Sequence, residues 1–231
     1  MYIHTLMDTL QKNSIHLFII WHNAAMYEDA IIQDIKKRFD VFRTYCIKWS
    51  ECYFAKGLAR FYGKKLPKNI KKQKEVGTGD FKVVLIYDNA PDMVNGKNKN
   101  VTSAKLKYRQ KCGANVIHAS DNTAETDEEL LFLFGKTSQE IIKEPFDDDV
   151  ILYPHDMIGF PCWENLEEAL ETVKKIPFTE IREQKDAVWI LGPKPFLIKR
   201  VLNARKNWCP CSHKHIIDIQ DKKYPLYIKK Q

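Results

Sequence analysis

The sequence predicts an α+β sandwich for residues 15–140, with one mostly antiparallel four-stranded sheet covered by helices. Four short β-favouring runs, at 15–22, 40–49, 81–87 and 115–117, alternate with stretches of helical spacing. Of the 231 residues 44% are hydrophobic, enough for a packed core. No apolar run is longer than Leu17–Trp21, far short of the ~20 residues that cross a bilayer, so no membrane segment is expected.

In chain order, Leu6 and Leu10 stand at helical spacing and suggest a short N-terminal helix. Residues 15–22 read as a buried strand. Tyr27 to Phe39 follows as a helix with Ile31, Ile35 and Phe39 on one stripe, and residues 40–49 alternate as a second strand. Residues 51–62 form a helix with Tyr53, Phe54, Leu58 and Phe61 inward, either as core or as a base-stacking platform. The segment 64–80 holds six lysines and Gly77-Thr-Gly79, and is expected to be a loop, either plainly solvated or a basic lid over phosphates. Residues 81–87 are a central strand by β-branched content, and 88–100 a turn-rich loop with Asn95-Gly96. Val101 to Cys112 is helical, with Lys105 and Arg109 four apart on one face. Four strands interleaved by helices in this way suit a ferredoxin-like sandwich.

The densest chemistry lies at Gly113–Asp121. Asn115-Val-Ile117 is too short to be anything but a strand, and Asn122-Thr-Ala-Glu125 has the spacing of a helix capping box. His118 is therefore expected at a strand-to-helix turn, where unpaired amides and the macrodipole favour a phosphate. An imidazole so placed is either a hydrogen-bonded structural residue or a nucleophile towards phosphorus. Glu125 and Glu129 share a face of the following helix, and one of them could fix the tautomer of the ring.

Asn115-Val-Ile-His118-Ala-Ser120-Asp121, with Glu129 at the right interval, resembles the active-site segment of the nucleoside-diphosphate kinases, Asn-x-x-His-Gly-Ser-Asp and then Glu. The order of elements over 15–140 follows the same family. The resemblance implies a nucleoside-diphosphate-kinase-type sandwich in which His118 is phosphorylated by a nucleoside triphosphate carrying Mg²⁺ and passes the phosphoryl group on. It makes Glu129 the orienter of the ring and Asn115 and Ser120 its neighbours. Arg109 matches the phosphate-gripping arginine if residues are deleted before His118, Thr102 the phosphate-contacting threonine, and Tyr53 or Phe54 the base-stacking aromatic. Lys105 is a further candidate for the phosphates. The family's lysine after the first strand is missing, since the aligned stretch is Trp21-His22-Asn23-Ala24, and Ala114 replaces an arginine. Loss of such a cation commonly costs several kcal/mol of transition-state stabilisation. The implied activity is nucleotide-dependent phosphotransfer, and the alternative is a catalytically diverged nucleotide-binding or scaffolding protein of the same fold.

The acidic run at 146–149 is the expected boundary, separating a kinase-like domain at 1–145 from a small α/β domain of unknown role at 150–231. In the latter, 165–175 is an amphipathic helix, 178–182 and 187–191 are strands, 193–205 is a helix opened by proline, and 215–219 with 224–228 form a hairpin. The layout very weakly resembles a degenerate nucleotidyltransferase fold, with Asp186 as the one carboxylate kept. Cys209, Cys211, His213 and His215 are either a tightly spaced zinc set or an ordinary basic loop. The net charge of +7 arises from 37 basic and 30 acidic side chains, mixed along most of the chain. That permits phosphate partners, but no nucleic-acid motif occurs, so nucleotide is the expected partner and nucleic acid is not. Six scattered cysteines fit reduced thiols and a cytoplasmic setting. The kinase family is oligomeric, and a homo-oligomer is one state the resemblance allows.

Overall fold

The computed structural model describes residues 14–49, 51, 54–63, 69–145, 163–184, 187–202, 204–206, 214–220 and 222–231. The expected N-terminal helix, Tyr53, the acidic boundary at 146–149, Asp186, Cys209, Cys211 and His213 lie outside these residues. The chain divides into two units, Met1–Leu58 with Leu66–Thr126 and Glu144–Met157, and Ala59–Lys65 with Asp127–Lys143 and Ile158–Gln231.

In the first unit, strand β1 (Ser14–Ile20) leads through a 3₁₀ turn (His22–Tyr27) into helix α1 (Glu28–Arg38) and strand β2 (Asp40–Ile47). Helix α2 (Phe54–Tyr62), which runs on into the second unit, is followed by α3 (Asn69–Val76) and strand β3 (Phe81–Asp88). A two-residue hairpin, β4 (Met93–Val94) and β5 (Lys97–Asn98), then enters α4 (Lys99–Cys112) and β6 (Ile117–Ala119). The main sheet has the order β2-β3-β1-β6, every pair antiparallel. Two β-α-β halves are thus interleaved, with β1 and β3 at the centre. The continuous apolar run of β1 is what a strand buried on both faces requires, and Leu17, Phe18, Ile19, Ile20 and Trp21 are all at most 1% exposed. One face packs on α1 and α4 through Phe18, Ile20, Ile31, Ile35, Ala104 and Tyr108. On the other side Trp21 meets Trp49, Phe54 and Phe81, so Phe54 is core.

The structure corrects three readings. The lysine-rich segment contains α3, whose residue Val76 is buried, although its sequence pattern is polar. The last strand of the sheet begins at Ile117, so His118 lies within it and not at its end. The loop at 88–100 holds a hairpin whose Asn95 (φ 51°) and Gly96 (φ 74°) adopt the left-handed pair that Asn-Gly favours.

The second unit holds the rest of the helix α5 (Thr123–Phe134), α6 (Ser138–Lys143), α7 (Leu166–Lys174), strands β7 (Glu180–Gln184) and β8 (Ala187–Gly192), α8 (Pro195–Val201), and β9 (Arg205–Lys206), β10 (Lys214–Ile219) and β11 (Lys222–Lys230). Its sheet runs β7-β8-β11-β10-β9, with β8 and β11 parallel and the other pairs antiparallel. Ala169, Leu170 and Val173 of α7 and Leu197, Ile198 and Val201 of α8 pack on one face of it. The helix expected to reach residue 205 stops at Val201, and β9 takes its last residues into the sheet.

Helices α1 and α4 are joined by Asp34, which accepts hydrogen bonds from Arg38 Nε (2.7 Å), Lys107 Nζ (3.1 Å) and Tyr108 Oη (2.8 Å). Burial pushes the Asp34 carboxyl up, but the hydrogen bonds from Tyr108, Lys107 and Arg38 outweigh it and hold the group at about 2, against 3.8 ordinarily. The stability this group contributes is complete above the unfolded value and is lost as pH falls through the folded one. Asp34→Ala should cost about 1–2 kcal/mol at pH 7, allowing for the partial exposure of its ion pairs. Urea titrations should show that deficit shrinking towards pH 2.

Candidate functional site

β6 is an edge strand, and the alternation of its backbone decides what its free edge offers. Trp21 N–H donates to Val116 O (3.1 Å) and Ser120 N–H to Leu17 O (3.1 Å), so this parity faces β1. The carbonyls of Asn115, Ile117 and Ala119 face outward, and each accepts from a cation. Lys72 Nζ donates to Asn115 O (2.7 Å), Arg109 Nε to Ile117 O (2.8 Å) and Lys105 Nζ to Ala119 O (3.0 Å). Residues 105 and 109, one turn apart on α4, therefore hold the carbonyls of the two residues that flank His118.

These cations differ in how they are compensated. Lys105 also reaches Asp121 Oδ1 (3.0 Å), whose other oxygen takes Lys97 (2.6 Å). Burial raises the Asp121 carboxyl, yet the bonds from Lys97 and Lys105 prevail and lower it. Lys72 pairs with Glu75 (3.0 Å), and Glu75 Oε1 accepts the Asn115 N–H (3.2 Å), so the pair holds both backbone polar groups of Asn115. Burial pushes the Lys72 ammonium down against the pull of Glu75, and the charge of Arg109 pushes it the same way. Arg109 spends Nε on Ile117, and its two terminal nitrogens have no hydrogen-bond partner among the described residues. A guanidinium fixed at Nε with a free terminal pair suits a phosphate or carboxylate oxygen.

Ile117 and Ala119 point into the core shared with α1 and α4, so His118, between them, projects from the opposite face of the sheet, 9% exposed. Asn115 is exposed. Thr102, on the first turn of α4, has a buried Oγ1 with no hydrogen-bond partner among the described residues. Glu129 is buried (6%) on the part of α5 that belongs to the second unit. Glu125 N–H donates to Asn122 Oδ1 (2.9 Å) and Asp121 N–H to Glu125 Oε2 (2.6 Å), which caps the helix that follows and occupies two amides of the turn. Among the described residues no group of three His, Cys, Asp or Glu side chains could hold a metal ion.

After β1, Asn23 holds the end of α3. Asn23 Nδ2 donates to Lys74 O (3.1 Å) and Glu75 O (2.8 Å) at the end of that helix. A Cβ on Gly79 would lie 2.2 Å from His22 Nδ1, so the glycine leaves the room the imidazole occupies. Neither Lys72 nor the His22–Asn23 contact was singled out by the sequence. The six lysines of 64–80 were its one pointer to a cation from that segment.

Ser120 is fully buried and belongs to a polar network beneath the turn. Its hydroxyl accepts from Leu17 N–H (3.1 Å) and meets Thr126 Oγ1 (2.8 Å). That places it in the core of the first unit. His16, also fully buried, faces Ser120 O through Nδ1 (3.3 Å), and Ser14 Oγ (2.7 Å) and Asn98 Nδ2 (3.1 Å) through Nε2. A carbonyl only accepts and an amide nitrogen only donates, so Nδ1 carries the proton and Nε2 is the acceptor. Asn98 gives its other amide hydrogen to Asp88 Oδ2 (2.9 Å), while its Oδ1 caps α4 at the Asn100 (3.0 Å) and Val101 (3.4 Å) amides.

Burial lowers the His16 pKa from 6.5, over the opposing bond to Ser120 and the charges of Asp88 and Asp121, and Lys105 adds to the fall. The network's stability is therefore complete above the unfolded value and lost as pH falls below it, where the unfolded chain takes a proton that the folded ring refuses. Urea titrations from pH 7 to 5 should show this decline, flattened in His16→Gln. Asn98→Ala removes a cap and two buried bonds and should cost about 2–4 kcal/mol at pH 7.

No family model matches the chain, and no curated protein sequence matches it. Among solved structures, an orthorhombic C222 crystal form of the Aquifex aeolicus nucleoside diphosphate kinase is similar, with a TM-score of 0.36 and 13% identity over 51% of this chain and 92% of that one.

Proposed function

We propose that the first unit is a ferredoxin-like domain of the nucleoside-diphosphate-kinase type, and that it moves phosphoryl groups from a nucleoside triphosphate through His118. The observation that carries this reading is the guanidinium of Arg109, anchored on Ile117 O beside the histidine with its terminal nitrogens unpartnered among the described residues. In the step proposed, a ring nitrogen of His118 attacks the γ-phosphorus, the bond to the β-phosphate oxygen breaks, and the nucleoside diphosphate leaves. The phosphohistidine then yields its phosphoryl group to an acceptor oxygen, and the ring is regenerated. Mg²⁺ enters on the triphosphate as part of the substrate. Lys72 reaches the same strand edge from α3, but it is paired with Glu75 (3.0 Å), so Arg109 is the cation this reading relies on for the phosphates.

A second reading, a nucleotide-binding or scaffolding protein without turnover, is favoured by two observations. Lys105 is already neutralised by Asp121, and His118 is only 9% exposed.

Incubation with γ-labelled ATP and Mg²⁺ separates the two. Alkali-stable, acid-labile label that disappears in His118→Gln supports transfer, and label that persists in that variant removes His118 from the mechanism. Nucleotide bound without label supports the second reading. In either case Arg109→Ala should weaken nucleoside diphosphate binding about 10- to 100-fold, the worth of one or two charge-assisted hydrogen bonds, as read by calorimetry.

A further inference from the structure

The second unit's sheet has one face under α7 and α8 and another that those helices do not cover. Ile181, Val188, Ile190, Leu226, Ile228, Ile217 and Ile219 fill the covered face, so the residues alternating with them occupy the other. Across it, strand register places Arg182 opposite Trp189, Trp189 opposite Tyr227 and Tyr227 opposite Lys214. The two aromatic rings are stacked, with centroids 4.4 Å apart and planes 14° from parallel. Lys229 Nζ lies 5.9 Å from the Trp189 ring. Lys223 and Lys229 are exposed on this face, and the acids there are Glu180, which takes Arg182 (2.6 Å), and Asp218.

We propose that this face binds single-stranded nucleic acid. A base can add to this stack as the next plane, on the Tyr227 side or in exchange for the Lys229 ammonium that lies over Trp189. Because every base has a flat ring face, the contact needs no sequence. Lys214, Lys223, Lys229 and Arg182 flank the rings with four positive charges against two negative ones, complementary to a phosphate backbone. Their ammonium and guanidinium groups also suit the ring faces. Four strands spaced about 4.8 Å apart carry this lane over roughly 14 Å, the reach of two or three bases on a sheet platform. No basic-loop motif is involved. The platform arises from residues on four strands that meet only in the folded sheet.

The test uses the full chain with fluorescein-labelled 12-nucleotide oligo-U and oligo-dT probes, followed by anisotropy at 50 mM and 200 mM salt. Binding that weakens as salt rises is expected, with quenching of tryptophan fluorescence. Trp189→Ala and Tyr227→Ala should each weaken it about 5- to 100-fold, Trp189→Phe should keep most of it, and Lys229→Gln should reduce the salt slope by about one. A duplex of the same length should bind more weakly than either single strand. Far-UV circular dichroism checks that each variant is folded, and if Trp189→Ala is not, Tyr227→Ala and Lys229→Gln decide. Absence of binding at 50 mM salt would overturn the proposal, as would equal binding by wild type and both folded aromatic variants. Phosphatidylserine vesicles that compete with the probe, and whose own binding is lost in the aromatic variants, would assign the face to anionic lipid and overturn it as well.

Discussion

An edge strand leaves every second peptide without a ladder partner, and the way the first unit closes the edge of β6 shapes everything around His118. Three carbonyls in register, those of Asn115, Ile117 and Ala119, are each closed by a cation from a different turn of α3 or α4. A side-chain ammonium or guanidinium can complete such a peptide where no further strand exists, and it brings positive charge to the edge. At the two lysines that charge is offset by Asp121 and Glu75, while Arg109 has no acidic partner among the described residues.

The same economy explains the polar network under the turn. The chain crosses from β6 into α5 over a buried serine and histidine, and their hydrogen-bonding capacity is met from β1, β3 and the start of α4. Asn98 has the widest role there, since one side chain caps a helix, donates to a carboxylate and donates to a neutral imidazole. Buried polar groups left unpaired are costly, so these elements are fixed relative to one another within the unit. Ser120, which a motif reading places beside the histidine as a ligand contact, has its hydroxyl committed to this network.

The second unit meets the same constraint differently. Its short β9 gives β10 a partner on the side away from β11, and its helices cover one face of the sheet. On the other face the bulk comes from a tryptophan and a tyrosine that shield one another, with cations beside them. A cross-strand stack of this kind stabilises a pair of strands in its own right, and it also presents flat, polarisable surface.

Much of the fold was legible in the residues because it follows from local periodicity. The unbroken apolar run of 15–21 marks a strand buried on both faces, the stripe Ile31-Ile35-Phe39 a helix with one buried side, and Asn122 with Glu125 a helix start. Asn95-Gly96 supplies two left-handed residues of a kind found in tight hairpins, and here it forms one. The lysine-rich segment was misread because its polar composition matches a solvated loop as well as it matches α3, a helix whose place is set by contacts with Asn23 and Asn115, distant in sequence. For the site, the sequence by itself determined which chemical groups stand near one another along the chain: the histidine, the two cations one turn apart and the capping pair. Only tertiary structure decided that Arg109 keeps its terminal nitrogens unspent among the described residues, that Lys72 arrives at the same edge and that Trp189 lies against Tyr227. Such meetings depend on strand order and register, and no periodicity within one segment encodes them.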